Sequence, residues 1–239
     1  MQLAEQFNRA AGRYDLLTRL NPGYLPALRT AADALVSRLP RKTAPLRLWD
    51  LGCGSGLSTR AVLDAAGDDA VVIGLDASAG MLAQARAKSW PAGVRLVQAY
   101  AQDLPRVAAE ELDGPADGAF AAYLLRNVPA DQRDAALTAI HDQVRPGGWV
   151  ALQDYHVRGD RLATVVWTVV CWGVVTPLAV LLRGNPAIYR YLWRSVLDND
   201  STAELAARLD RAGLTEQTWS TARGWQRGIL HTVLARRPA

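Results

Sequence analysis

Apolar residues along the chain gather in short runs bounded by glycine, proline and polar residues, and from residue 47 onward these runs alternate with helix-compatible stretches. Short apolar runs of that kind read as buried strands, and their alternation with helices implies crossover units joined in a parallel sheet. The predicted strands are Leu46 to Leu51, Ala70 to Leu75, Val94 to Ala99, Gly118 to Leu124 and Trp149 to Tyr155, with helices centred near Val62, Ala83, Ala109 and Ala139 between them. Pro146-Gly147-Gly148 reads as the turn that stops the fourth helix and launches strand five. After an interruption the rhythm resumes with a helix at Thr202 to Ala212, closed by Gly213, and two strands near Thr215 to Thr221 and Gly228 to Ala235. Two strands with no helix between them predict an antiparallel pair at the sheet edge.

The interruption is itself informative. From Leu162 to Leu182 there is no charged residue, and the run is mostly valine, leucine and tryptophan. By length it could span a bilayer. Strand five precedes it and the last two strands follow it, however, and all must join one sheet, so a single crossing is excluded. Gly173 and Pro177 interrupt the middle, which predicts two short helices or one kinked helix over the sheet's carboxyl edge. Arg158, Arg161, Arg183, Arg190 and Arg194 flank the run. A buried core hairpin and a lipid-touching lid both fit this pattern.

Chemistry enters at residues 47 to 56, Arg-Leu-Trp-Asp-Leu-Gly-Cys-Gly-Ser-Gly, where the first strand runs into glycines at 52, 54 and 56; Asp76 stands twenty residues beyond the last. Glycines there let a ligand lie against bare backbone, and the amides opening the helix from Ser58 to Ala66 offer donors to a carboxylate. An acid ending the second strand can accept hydrogen bonds from both ribose hydroxyls. A dinucleotide fingerprint needs its third glycine three positions after the second, where Leu57 stands, so the spacing favours S-adenosylmethionine over a nicotinamide dinucleotide. The candidate cofactor residues are Asp50, Gly52, Cys53, Gly54, Ser55, Gly56, Asp76, Ala77, Met81, Ala101, Gln102 and Asp103. Cys53 reads as a small residue filling a ligand loop rather than as a nucleophile.

Composition narrows the setting. With 239 residues the chain is long enough for one large α/β domain with an elaboration and short for two. Half the residues are hydrophobic, 21% are charged, and two cysteines make no disulfide framework, which predicts a cytoplasmic protein. The start, Met-Gln-Leu-Ala-Glu-Gln-Phe-Asn-Arg, lacks the pattern of a secretory signal. The formal charge is +4 with a pI near 9.3, yet lysine and arginine are scattered, so no nucleic-acid partner is expected. A basic surface meeting anionic lipid at the inner face of a membrane stays open.

Leu125-Arg126-Asn127-Val128 followed by Arg145-Pro146-Gly147-Gly148 resembles two blocks, LRNV and KPGG, of the class I S-adenosylmethionine-dependent methyltransferases that complete menaquinone and ubiquinone rings. Phe7 with Tyr14-Asp15, Tyr189-Arg190-Tyr191-Leu192 and Gly228-Ile229 are similar to further segments of these quinone-biosynthesis C-methyltransferases, so the resemblance runs over most of the chain. It implies a doubly wound, Rossmann-like, mostly parallel seven-stranded sheet with an antiparallel last strand. Around that core it places an N-terminal helical cap over residues 1–45, a cofactor-binding core over 46–157, an apolar helical insertion over 158–200, and a last helix with two edge strands over 201–239. It also implies Tyr14 on an N-terminal helix folded over the cofactor, though an aromatic in an amphipathic helix also fits plain core packing, and an apolar small molecule or lipid quinol as methyl acceptor. The chain departs from the family pattern at Ala99-Tyr100-Ala101, where an acid is usual. Tyr100 could stack or hydrogen-bond in its place, or Asp103 could supply the carboxylate.

Methyl transfer from a sulfonium is an in-line displacement with the electrophile already activated, so the protein supplies alignment and a dry pocket, and no metal is needed. A carbon nucleophile also requires a phenolic ring to lose or share its hydroxyl proton. Asp154, Tyr155 and His156 close strand five where open α/β sheets bind ligands, and His156 ranks first as base for its accessible pKa. Arg126 and Asn127 follow strand four at the same edge. An arginine there would stabilise a phenolate, or would bridge to Asp131 or Asp134 at a helix start. His141 and His231 fall mid-helix and mid-strand. Trp167, Trp172, Tyr189 and Trp193 could wall an apolar substrate channel or simply pack. Asn21-Pro22-Gly23-Tyr24 resembles the NPPY loop of amino-methylating nucleic-acid enzymes but stands before strand one instead of after strand four. Competing readings are a natural-product O- or C-methyltransferase with a soluble substrate, and a cofactor-binding regulator or partner subunit without turnover.

Overall fold

Seven strands build one sheet: β1 (Arg47–Leu51), β2 (Val71–Asp76), β3 (Val94–Gln98), β4 (Ala116–Ala122), β5 (Val144–Tyr155), β6 (Thr215–Thr221) and β7 (Leu230–Arg236). The computed structural model describes residues 8, 21, 23–40, 44–181 and 186–239. Phe7, Tyr14, Asp15, Pro22 and Arg183 lie outside the described residues. Across the sheet the order is β3-β2-β1-β4-β5-β7-β6. The first five strands pair in parallel, and β7 runs against both β5 and β6. The expected edge pair is therefore present, with the last strand inserted between its predecessor and β5.

Helices cover both faces because the strands are apolar on both faces, as parallel strands are. β4 is buried at every position and is built almost wholly of alanine and glycine. A Cβ on Gly118 would stand 2.9 Å from the Trp149 carbonyl oxygen and 3.4 Å from Leu35, so helix and neighbouring strand close directly onto it. Side-chain alternation along β1 sends Leu48 into one core and Trp49 and Leu51 into the other. On the first face lie α1 (Tyr24–Val36), which buries Tyr24, Leu28, Ala31, Ala32 and Leu35, and α2 (Leu57–Ala66). α3 (Ala79–Arg86) follows β2, capped by the Ser78 hydroxyl accepting from the Met81 amide at 3.1 Å. α4 (Leu104–Glu111) and α5 (Arg133–Gln143) contribute Leu104, Val107, Leu137 and Ile140 to the second core.

The segment expected to form two short helices or one kinked helix is one continuous helix over its described residues, with a local irregularity in the middle. α6 (Arg161–Val170) runs through a π-helical stretch, Cys171–Val175, into α7 (Thr176–Leu181). Pro177 has no amide hydrogen for the carbonyl one turn back, and the wider π-turn just ahead of it absorbs that loss without a break. α8 (Pro186–Leu197) returns against α6, and α9 (Thr202–Arg211) begins on a capping box in which Ser201 and Glu204 satisfy each other's backbone amides.

Two of the boundaries that differ from the sequence expectation have a visible cause. β5 starts at Val144, so Pro146-Gly147-Gly148 lies inside the strand; Gly147 at φ 76° and the register shift between Ala116 and Gly118 mark a bulge there. β4 ends at Ala122, because Tyr123 donates its amide to the Gln153 carbonyl at 2.7 Å and then turns out of the sheet at φ 58°. The chain winds outward from β1 to β3 and then crosses to β4, so the crevice between β1 and β4 opens at the sheet's carboxyl edge. That is where open α/β sheets hold their ligands.

Candidate active site

At this crevice lies a cavity of about 570 Å³. Its floor is the loop after β1. The Gly52 and Cys53 amides both donate to the Leu75 carbonyl at 2.8 and 2.9 Å, which pins the loop across the end of β2. Asp76 then clamps it: one carboxylate oxygen accepts the Gly54 amide at 2.9 Å and the other accepts the Ser78 amide at 2.7 Å. Gly54 sits at φ 53° and lines the cavity. Gly56 sits at φ 86° and does not; a Cβ there would meet the Trp90 ring at 2.7 Å, and that ring is fixed by its own hydrogen bond to the Ala85 carbonyl. Gly54 thus exposes backbone to a ligand, while Gly56 lets α2 start close against its neighbour.

Behind the floor, Asp50 is fully buried and outside the cavity wall. One of its carboxyl oxygens accepts from the Ser58 and Thr59 hydroxyls at 2.8 and 2.6 Å; the other has no partner among the described residues. Burial pushes its pKa up to about 7 against the pull of those hydroxyls. Below about pH 4 the group is protonated folded or unfolded; between there and pH 7 only the folded chain keeps the proton. Stability should therefore fall as pH rises through this window, by an amount on the order of 4 kcal/mol. Asp50→Asn should flatten that dependence, so the gap in thermal midpoint between variant and wild type should shift in the variant's favour from pH 5 to pH 8. A gap that stays constant with pH would rule out the ionisation of Asp50 as its cause.

The other candidate cofactor residues divide. Cys53, Ser55, Asp76, Ala77, Met81, Ala101 and Gln102 line the cavity with Gly52 and Gly54. The Cys53 thiol is buried against Gly74, and burial together with Asp50 and Asp76 raises its pKa well above the ordinary thiol value, so it does not present a thiolate. Tyr100 is half exposed in the wall, whereas the Asp103 carboxylate is outside it and accepts the Tyr100 amide at 3.0 Å. Burial also raises the pKa of Asp76, opposed by its two amide donors. Tyr14 lies outside the described residues, but Asn8, in a helical position, accepts from the Ser78 hydroxyl and the Gly80 amide at 2.6 and 2.9 Å. Asn8 thus reaches the start of α3.

Next to the glycine loop, where Leu124 packs on Gly52, the Leu125–Asn127 turn after β4 places Arg126 and Asn127 in the wall. The Arg126 guanidinium donates to the Tyr123 carbonyl at 2.9 Å and pairs with Asp154 at 3.4 Å, both side chains being nearly buried, and Asp154 also accepts the Arg126 amide at 3.2 Å. The alternative bridge to Asp134 is not made, since that acid pairs with Arg208 and Arg211. Asn127 donates to the Tyr123 carbonyl at 2.8 Å and accepts from the Tyr191 hydroxyl of α8 at 3.0 Å, so the second half of the apolar insertion is latched onto the site.

His156 is not in the wall. Its Nδ1 lies 2.7 Å from the Asp200 carbonyl oxygen, which fixes the proton on that nitrogen, and the ring is buried against His231 and Trp219. The strand continues past Tyr155 into pairing with β7, through the His156 amide to the Ile229 carbonyl at 2.8 Å, and so carries the imidazole away from the crevice. Tyr155 stands behind the wall in an aromatic ladder, Tyr24 to Tyr123 to Tyr155 to Trp167, with ring centroids 5.0, 5.2 and 4.9 Å apart. Tyr24 and Tyr123 line the cavity; Trp167 is core. Trp172 and Trp193 border a separate groove with Arg190, Tyr191 and Arg194. The side chain of Tyr189 lies outside what is described. Sequence reasoning missed Tyr24, Tyr123, Gln132 and Tyr191; the signals were an aromatic on the inner face of an amphipathic helix and a tyrosine just where strand four turns.

A parallel sheet with one reversed strand, a glycine loop clamped by the acid ending β2, and a cavity at the strand-order switch define a Rossmann-like methyltransferase. Residues 49–148 match the family model described as a methyltransferase domain. A demethylmenaquinone methyltransferase of Thermus thermophilus is 32% identical over 87% of this chain and 91% of its own length. The ubiquinone/menaquinone biosynthesis C-methyltransferase UbiE of Methylobacterium nodulans is 30% identical over 90% of this chain and 83% of its own. Among solved structures, a Thermotoga maritima S-adenosylmethionine-dependent methyltransferase, possibly acting on histamine, superposes with a TM-score of 0.65 at 16% identity over 98% of this chain and 99% of that one, a likeness of fold. The chain belongs to the ubiquinone/menaquinone biosynthesis C-methyltransferase family of S-adenosylmethionine-dependent methyltransferases. S-adenosylmethionine is its methyl donor.

Proposed function

We propose that this enzyme methylates a ring carbon of an apolar quinol such as demethylmenaquinone in its reduced form. The supporting observation is Arg126, which lines the cavity and is held there by Asp154, in the segment that resembles the family's LRNV block. Relatives similar over most of the chain carry the name demethylmenaquinone methyltransferase.

Gly52, Gly54, Asp76, Ala101 and Gln102 would hold the donor, since bare backbone and an acid with both oxygens already fixed suit an uncharged sugar and a carboxylate-bearing tail. When bound, the donor supplies a methyl group on an activated sulfonium. The chain's own residues do the rest. Arg126 sets a positive charge at the wall, which favours the quinol hydroxyl as its anion, its proton passing to solvent, and so enriches the ring carbon beside it, which gives up its own proton to solvent once the methyl group has been transferred. Asp154 and the Tyr123 carbonyl hold that guanidinium in one orientation. Tyr24, Leu28 and Tyr123 give the cavity an apolar wall that excludes water from an apolar ring.

Incubation with methyl-labelled donor and reduced demethylmenaquinone, with related quinols and soluble phenols in parallel, should put label into the apolar ring product. Label in soluble phenols alone would replace this reading by a natural-product methyltransferase.

A further inference from the structure

The helix from Arg161 to Leu181 is apolar on two faces, and the fold uses one. Ala163, Trp167 and Cys171, spaced four apart, pack into the core. Leu162, Val165, Val169 and Trp172 occupy another face at 73, 58, 63 and 45% exposure, and Val174, Val180 and Leu181 extend the exposed stretch. A surface helix of a soluble fold ordinarily carries charged residues there. This one carries no charge between Arg161 and its end, so an apolar surface of helical length is left bare. The stretch is long and apolar enough to cross a membrane. Its inner face is in the core, however, and strands on both sides of it belong to one sheet, which leaves lying along a surface as the arrangement open to it.

Charge selects the occupant. Arg158 and Arg161 stand exposed at the start of the helix, and Arg190 and Arg194 border the groove beside Trp172 and Trp193, whose rings meet edge-on at 5.8 Å. No acidic residue occurs from Arg161 to Leu197. Asp160 caps the helix through the Ala163 amide, and Glu204 pairs with Arg158. A symmetric pairing of two copies would set these arginine rims against each other. An anionic bilayer meets them with opposite charge, takes the valine and leucine face into its acyl boundary, and places tryptophan at the headgroup level where it is enriched. We infer that the Arg161–Leu181 helix, with the Trp172–Trp193 groove and its arginines, is a docking surface for an anionic membrane. It goes beyond the acceptor reading and would bring the active site to where an apolar quinol resides.

Flotation with vesicles of phosphatidylcholine alone, or mixed with phosphatidylglycerol, tests the surface. The wild type should float with the anionic vesicles at low ionic strength and be released as salt rises. Val165→Glu with Val169→Glu should lower that partition more than about tenfold, with donor affinity and thermal midpoint retained because both side chains face solvent. Arg190→Glu with Arg194→Glu should weaken binding to anionic vesicles independently of the apolar pair. The inference is overturned if the wild type ignores anionic vesicles, if both variants float like the wild type, or if sedimentation shows a dimer that the valine substitutions split. Failure to float with methylation of detergent-dispersed quinol intact removes the docking surface alone. Flotation without methylation of any quinol removes the acceptor reading alone.

Discussion

Asp76→Ala is expected to lower the affinity for S-adenosylmethionine by about two orders of magnitude or more. Two separate losses combine. The carboxylate holds the Gly54 amide at 2.9 Å and the Ser78 amide at 2.7 Å, so alanine releases the floor loop from the end of β2. It also removes the acceptor that lines the cavity where the sugar hydroxyls would donate. Asp76→Asn should fall between, since an amide oxygen can serve one amide donor while its NH2 confronts the other. Calorimetric titration measures the affinity, and the rise in thermal midpoint with added donor provides a second reading that separates binding from folding. An unchanged affinity in the alanine variant would remove the assignment of Asp76 to the ribose, and with it the polarity of the whole pocket.

How much of this was legible in the sequence depended on whether the information was local. Buried parallel strands carry apolar runs on both faces, so β1 to β5 and the reversed last pair were readable in order. The glycine loop and the acid at 76 were readable because backbone conformation and strand ends are set within a few residues. What escaped were long-range partnerships. Asp103 stands near the crevice in sequence, yet its carboxylate turns to the Tyr100 amide. His156 follows strand five at the expected edge, yet its amide bond to Ile229 just before β7 and its ring contact with the Asp200 carbonyl bury it away from the cavity. Tyr191 reaches Asn127 from a helix far along the chain, and no pattern within that helix told of the partner. The tryptophans fitted a substrate wall and plain packing alike, and helical geometry divides them between the core and an outer groove.

The turn after β4 carries the other large effect. Arg126→Gln is expected to reduce kcat/KM on a quinol acceptor by about a hundredfold to a thousandfold, with the donor's affinity nearly unchanged. The floor loop is held by Asp76 and the Leu75 carbonyl, so losing a wall guanidinium bound to Asp154 and the Tyr123 carbonyl should act on the acceptor's hydroxyl and little on the donor's sugar or tail. The same substitution should destabilise the fold by about 3–5 kcal/mol, because Asp154 is left nearly buried without its cation. The two consequences are separable. Arg126→Gln combined with Asp154→Asn removes both charges, and should recover most of the thermal midpoint while turnover stays low. Arg126→Lys keeps a cation, and since a single guanidinium nitrogen serves both the Tyr123 carbonyl and Asp154, an ammonium can stand in for it, so this variant should retain more activity than glutamine. If turnover returned along with stability in the double variant, Arg126 would be reduced to a strut for the turn, and ionisation of the acceptor would need another residue of the wall.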